Sequence, residues 1–148
     1  MRLSYTSKGV LQFFYKVIFH ILKQRHHIEI PAVTKIGYGL FIQHPYCITI
    51  NAKASIGNNC NIHKGVTIGE VPYGKRKGVP RIGNNVWIGI NSSIVGGITI
   101  GDDVLIAPNT FININIPSHS IVFGNPCVVK SKMDATVGYI QNPYYESV

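Results

Sequence analysis

The chain has 148 residues, 14 basic against 6 acidic, for a net charge of +8. That length fits one domain with its own core, and the basic excess suits a polyanion such as nucleic acid, an anionic membrane or a phosphorylated small molecule. Cys47, Cys60 and Cys127 follow no ligand spacing, which speaks against a disulfide framework and for a reducing, cytoplasmic setting. No apolar stretch reaches the length of a membrane span.

The N-terminal segment, residues 1–28, differs from the rest. Apolar groups at positions 10, 11, 14, 17, 18, 21 and 22 make a helical stripe, which Phe13, Tyr15 and Phe19 widen. Lysine, glutamine and histidine interrupt the run and no small-residue cleavage site follows, so it does not read as a signal peptide. The helix is expected to pack on the rest of the chain or on a sister subunit. The alternative is peripheral membrane contact, with its aromatics in a headgroup layer among Arg2, Lys16, Lys23 and Arg25. His26 and His27 are expected to end the helix, where cations suit the dipole.

From residue 29 to 130 an isoleucine beat takes over. Ile36 and Ile42 begin it, and Ile50 resumes it after two extra residues; Ile56, Ile62 and Ile68 follow, then Ile82, Ile88, Ile94, Ile100, Ile106 and Ile112. Two positions earlier stand Ala54, Cys60, Val66, Val86, Ser92, Ile98, Val104 and Thr110. Residues two apart on a strand share a side, so each pair faces inward. Glycine and then Asn or Asp often come next, and these tolerate tight corners. Each hexad is thus a short strand plus a corner that cannot bury its apolar side alone. Stacked hexads predict an all-β, single-stranded parallel β-helix with three hexads per triangular coil; sandwich strands rarely keep one register so long.

The beat breaks twice, and breaks in a rigid scaffold are where function concentrates. At Gln43–Cys47 two extra residues push a corner outward. Between Ile68 and Ile82 lie fourteen positions where twelve would keep step, which predicts a projecting loop carrying Lys75, Arg76, Lys77 and Arg81. The tail, residues 131–148, holds Tyr139, Tyr144 and Tyr145; capping of the last coil, contact with a neighbour and disorder all remain open.

Several segments carry a family resemblance: Glu29-Ile30-Pro31, Lys35 to His44, Asn61 to Gly69, Ile82 to Gly89, and Gly124-Asn125-Pro126. From about Glu29 to Lys130 the chain resembles the serine acetyltransferases, within the left-handed β-helix (hexapeptide-repeat) acyltransferases. The large helical domain that typically precedes the solenoid in that family is nearly absent here. The resemblance implies the left hand, acetyl-CoA as co-substrate with no tightly bound cofactor, a hydroxyl acceptor, and direct transfer. It places the catalytic histidine on His44 and its acidic partner on Glu29. A hydroxyl needs a base to attack a thioester, imidazole titrates near neutrality, and a carboxylate on the far ring nitrogen would fix the tautomer.

For the donor, the resemblance puts backbone around Gly69, Ile90 and Pro108 along the pantetheine arm; the last two replace the family's usual small residues. Lys75, Arg76, Lys77, Lys130 and Lys132 are candidates for the phosphates, against a simple solvated surface. Nucleic acid is not expected, because no aromatic platform is interleaved with the cations. Some solenoids of this kind hold zinc through three histidines, but no close histidine pair occurs here, so no metal is expected.

The acceptor is read from departures. Gln43 stands where the serine enzymes have an aspartate, and Gly78-Val79 where they have Arg-His. A neutral polyol needs hydrogen bonds, which Gln43, Asn51, Asn61 and His63 can supply. A saccharide or sugar nucleotide is therefore the expected acceptor, as in glycan assembly near a membrane, with serine as the alternative. His63 as a wall residue and His119 as a structural one are the plainer readings. The resemblance further implies a homotrimer with active sites between subunits, where Trp87 is expected as an interface residue. A non-catalytic β-helical assembly subunit is the reading from a different class.

Overall fold

The computed structural model describes residues 9–141 and 143–145; Arg2 and residues 146–148 lie outside the described residues. Short strands stack on three faces of a prism. Face 1 is built by β1 (Ile28–Glu29), β4 (Ile48–Ile50), β7 (Thr67–Gly69), β10 (Ser93–Val95) and β13 (Phe111–Ile112). Face 2 holds β2 (Lys35–Ile36), β5 (Ser55–Ile56), β8 (Arg81–Ile82) and β11 (Thr99–Ile100). Face 3 holds β3 (Phe41–Gln43), β6 (Asn61–His63), β9 (Val86–Ile88), β12 (Val104–Ile106) and β14 (Ser120–Phe123). These strands pair in parallel across five coils. β15 (Val128–Ser131) then doubles back antiparallel on β14.

The inward pairs are those the beat predicts. Ile62, Val66, Ile68, Val86, Ile88, Ile94, Val104, Ile106 and Ile112 are all 0% exposed. In the regular wall the coil length is eighteen residues, as in Val86 beside Val104 and Ser93 beside Phe111. Side-chain oxygens tie the corners between faces 2 and 3. Asn58 accepts from the Tyr38 N–H at 2.8 Å, Asn84 from Asn58 at 2.8 Å, and Asp102 from Asn84 at 2.6 Å. The next residues, Asn59, Asn85, Asp103 and His119, have φ between 53° and 58°, which Asn, Asp and His accept more readily than most.

Both breaks are where the beat places them, but the second is larger than expected. Around Gln43–Cys47 the pairing is twenty residues, as in Phe41 beside Asn61, so two are extra. Ile68 on face 1 and Ile82 on face 2 belong to consecutive hexads, so six positions would keep step, and eight residues are extruded. They form a small hairpin in which Val71 and Gly78 exchange backbone hydrogen bonds of 3.0 and 2.9 Å. Gly78 (φ 131°) crosses close to Gly97, where an added Cβ would meet Lys77 O at 2.6 Å. Bulkier residues at that crossing would force the hairpin off the wall.

The described part of the tail runs along face 3. Asp103 accepts from the backbone N–H groups of Ala135 and Thr136 and from the Thr136 hydroxyl, at 2.7–2.9 Å. Asn59 exchanges two hydrogen bonds with the Tyr144 backbone, and the Tyr144 ring stacks on Tyr38 at 4.7 Å. Outward-pointing Asn61 and Leu105 are therefore only 0% and 8% exposed. Trp87, expected at a subunit interface, instead meets Tyr139 of its own tail at 5.5 Å.

Helix α1 (Val10–His26) leads into β1 but makes little contact with the solenoid beyond it. It does not pack its stripe on its own chain: Val10, Leu11, Phe13, Phe14, Val17, Ile18, Ile21 and Leu22 are all exposed. Among the described residues no helix is long and apolar enough to cross a membrane.

Candidate active site

His44 follows β3 at the edge between faces 3 and 1, in the corner that holds the two extra residues. It is exposed with φ 52°, and Cys47 in the same corner has φ 51°; two non-glycine residues with positive φ in one turn mark a shape held from outside. The support comes from below. Cys47 N–H donates to His26 O at 3.1 Å, and the Tyr46 ring meets His27 edge-on at 5.4 Å. The His44 ring makes no hydrogen bond to any described residue, so both nitrogens are available to a ligand.

Glu29 lies on β1, one strand below, with Glu29 beside Thr49 in register. Its exposed side chain lines an open cleft of about 360 Å³ with Gln24, His27, Ile28, Cys47 and Thr49. No hydrogen bond or ion pair joins it to His44. The sequence reading passed over Cys47 and Thr49 here; the twenty-residue coil length, which sets Thr49 beside Glu29, is the signal that would have found Thr49. A larger cavity of about 750 Å³ opens under the first coil between Ala32 and Leu40. Among the described residues no coil lies beneath it, and it carries none of the expected site residues.

Gln43, Asn61 and His63 are brought together, but not around an opening. The His63 Nδ1 lies 2.9 Å from Ile88 O, and its Nε2 lies 2.7 Å from the Gln43 amide. A carbonyl only accepts, so Nδ1 carries the hydrogen. The neutral ring then accepts at Nε2, which calls for the Gln43 amide turned NH₂-first. His63 is 5% exposed and packs on Trp87 at 4.5 Å. Asn61 donates to Tyr139 O at 3.1 Å, and its Oδ1 is buried without a partner. Acting through Gln43, His63 braces the residue next to His44, which is the wall role. Asn51 is half-buried at the end of β4, where its Oδ1 accepts from Lys53 N–H at 2.9 Å.

The donor candidates divide between two edges of face 1. Ile90 and Pro108 lie on the same edge as His44, where backbone bonds climb from Gly65 to Tyr46, Asn91 to Lys64 and Asn109 to Ile90. Gly69 and the basic hairpin lie across face 1. Arg76 is a staple: its guanidinium donates to Asn113 O and its carbonyl accepts from Gly97 N–H. Lys75 and Lys77 are exposed. Lys130 stands apart on face 3, over the Phe123 ring at 5.6 Å, and Lys132 N–H donates to His119 O.

Two titrating groups are shifted. Burial pushes the Cys60 thiol up to about 11, against weaker lowering by hydrogen bonding. For Asp103 burial opposes ionisation. The hydrogen bonds from Thr136, His119 and Ala135 outweigh it and hold the carboxyl below the usual range. His119 Nδ1 lies 2.8 Å from Asp103, so it is structural as expected. Among the described residues no three His, Cys, Asp or Glu side chains converge as a metal cage would require.

Residues 80–113 match the family described as bacterial transferase hexapeptide (six repeats). The chain belongs to the left-handed β-helix superfamily of hexapeptide-repeat proteins. Within it, the likeness is to the serine acetyltransferases. A Staphylococcus aureus serine acetyltransferase is 34% identical over 127 residues, 82% of this chain and 60% of that protein. The solved Neisseria gonorrhoeae enzyme in complex with serine matches with TM-score 0.66 at 31% identity, over 79% of this chain and 49% of that one. A serine acetyltransferase in complex with CoA matches with TM-score 0.67 at 25% identity, over 75% and 45%. This chain thus spans about three-fifths of the curated relative's length.

Proposed function

We propose that this protein transfers an acetyl group from acetyl-CoA to a hydroxyl, with serine as the acceptor that its relatives support. One observation carries the reading: His44 stands exposed and uncommitted on a bulged corner, on the same edge as the Ile90 and Pro108 backbone. The His44 ring takes the hydroxyl proton as the alcohol oxygen attacks the thioester carbonyl. The tetrahedral adduct expels the CoA thiolate, and the imidazolium returns its proton to that sulfur. Such base catalysis is worth ~10² to 10⁴ in rate. Glu29, on the adjacent strand, would steady the imidazolium once a ligand draws the two side chains together.

The donor groups flank face 1, with Gly69 and the hairpin on one side and Ile90 and Pro108 on the other. A second solenoid laid against that face would close a groove over both, which supports a homo-oligomeric site. A saccharide acceptor keeps one specific support. The cleft beside Glu29 holds a single carboxylate and no lysine or arginine, so within one chain an amino acid's two charges lack matched anchors.

Thiol release from acetyl-CoA, followed with serine, nucleotide sugars and simple glycosides, tests both. Release with serine is expected, and His44→Ala should lower kcat by at least about 10²-fold. Release that survives unchanged in the variant removes the assignment. Release with glycosides alone moves the acceptor to a saccharide.

A further inference from the structure

The N-terminal helix is the largest feature that the proposed reaction leaves unused. At 100° per residue, the half-buried Gln12, Tyr15, Phe19 and His26 fall within an arc of about 60°. Val10, Phe14, Val17, Ile18 and Ile21 centre on roughly the opposite side and are 39–74% exposed. The described part of the chain thus leaves this apolar arc uncovered. Its sequence, VLQFFYKVIFHILKQRH, contains no aspartate or glutamate. Lys16 and Arg25 are exposed on the same helix, and the chain as a whole carries +8.

From this we infer that α1 is a membrane-surface anchor, lying along an anionic bilayer with the arc of Val10, Phe14, Ile18 and Ile21 among the acyl chains. Charge decides between occupants. Anionic headgroups complement a helix that has cations and no carboxylate, whereas a second copy of α1 offers only like charge. Lys16 and Arg25 are long enough to keep their charged ends at headgroup level while their stems follow the apolar surface. At seventeen residues the helix rests on the bilayer rather than crossing it.

Flotation of the full chain with phosphatidylglycerol–phosphatidylcholine vesicles, against phosphatidylcholine alone, reads the anchor directly. At least tenfold more protein should float with the anionic vesicles, and added salt should reduce the difference. Phe14→Gln with Ile18→Gln, both exposed and outside the proposed site, should abolish flotation while the mass in sedimentation velocity and thiol release stay unchanged. No flotation of the wild-type chain at low salt, with Trp87 emission confirming the fold, overturns the proposal. So does a double variant whose assembly mass falls, since another copy then covers the helix. Thiol release is scored separately, so loss of the anchor and loss of the acetyl-transfer reading are distinguishable.

Discussion

Single side chains separate groups that hold the wall from groups left free for chemistry. Cys60 belongs to the wall: it is 0% exposed, and its thiol donates to Gly83 O at 3.2 Å. Its folded-state value is raised from 9.0 to about 11, so its contribution is complete below pH 9 and lost as pH rises toward 11. Alkaline unfolding should therefore cost roughly 2–3 kcal/mol of stability across that window, and Cys60→Ala should flatten it; urea titrations at pH 8 and pH 11 measure the difference. Cys60 was legible as an inward residue because it stands two before Ile62. His44 was legible through the motif around it and through the break in the repeat where it stands. Its exposure depends on how two extra residues re-aim a corner, which spacing alone does not set.

Among the elements, the hairpin and the tail show where sequence reading stops. Spacing located the hairpin but undercounted its excess, because nothing between Ile68 and Ile82 marks the face on which the beat resumes. The tail was illegible for a different reason. Its anchors, Asn59 and Asp103, are corner residues that the repeat already accounts for through backbone geometry, so their second task leaves no separate trace. That task is measurable, because Trp87 is the chain's single tryptophan and sits under Tyr139. Asp103→Ala should release the tail and red-shift Trp87 emission at neutral pH. In the native chain the same shift should appear in acid. The Asp103 carboxyl is held below its ordinary range, so its hold is complete above that range and fails as pH falls through the folded value. An emission maximum that does not move with the tail cut off after Lys132 would show that Tyr139 does not cover the indole.

Across the whole molecule, stability is a column of isoleucines with neighbours only above and below. Ile88→Ala in the third coil empties a site that is 0% exposed, and a loss of about 2–5 kcal/mol is expected by denaturant titration. The fold class was legible because one repeated pair dictates every coil. The functional site was less so, because its parts lie on two edges of the prism and a single chain does not bring them together. The acceptor was the least legible part, because Gln43 and Gly78-Val79 were read as missing anchors within one chain, and a groove closed by a second chain would draw anchors from both.

A stack of parallel strands has no natural stopping point, since each exposed rim is a template for the next layer or for another molecule. β15 answers this at the top of face 3. By reversing direction it ends the parallel register on that face, and it carries a charge, Lys130, on the edge strand itself. At the base no described strand turns back in this way, and the mouth beneath Ala32–Leu40 is open. The two poles of the prism therefore differ: a reversed strand covers the rim of face 3 at one, and no described strand does so at the other.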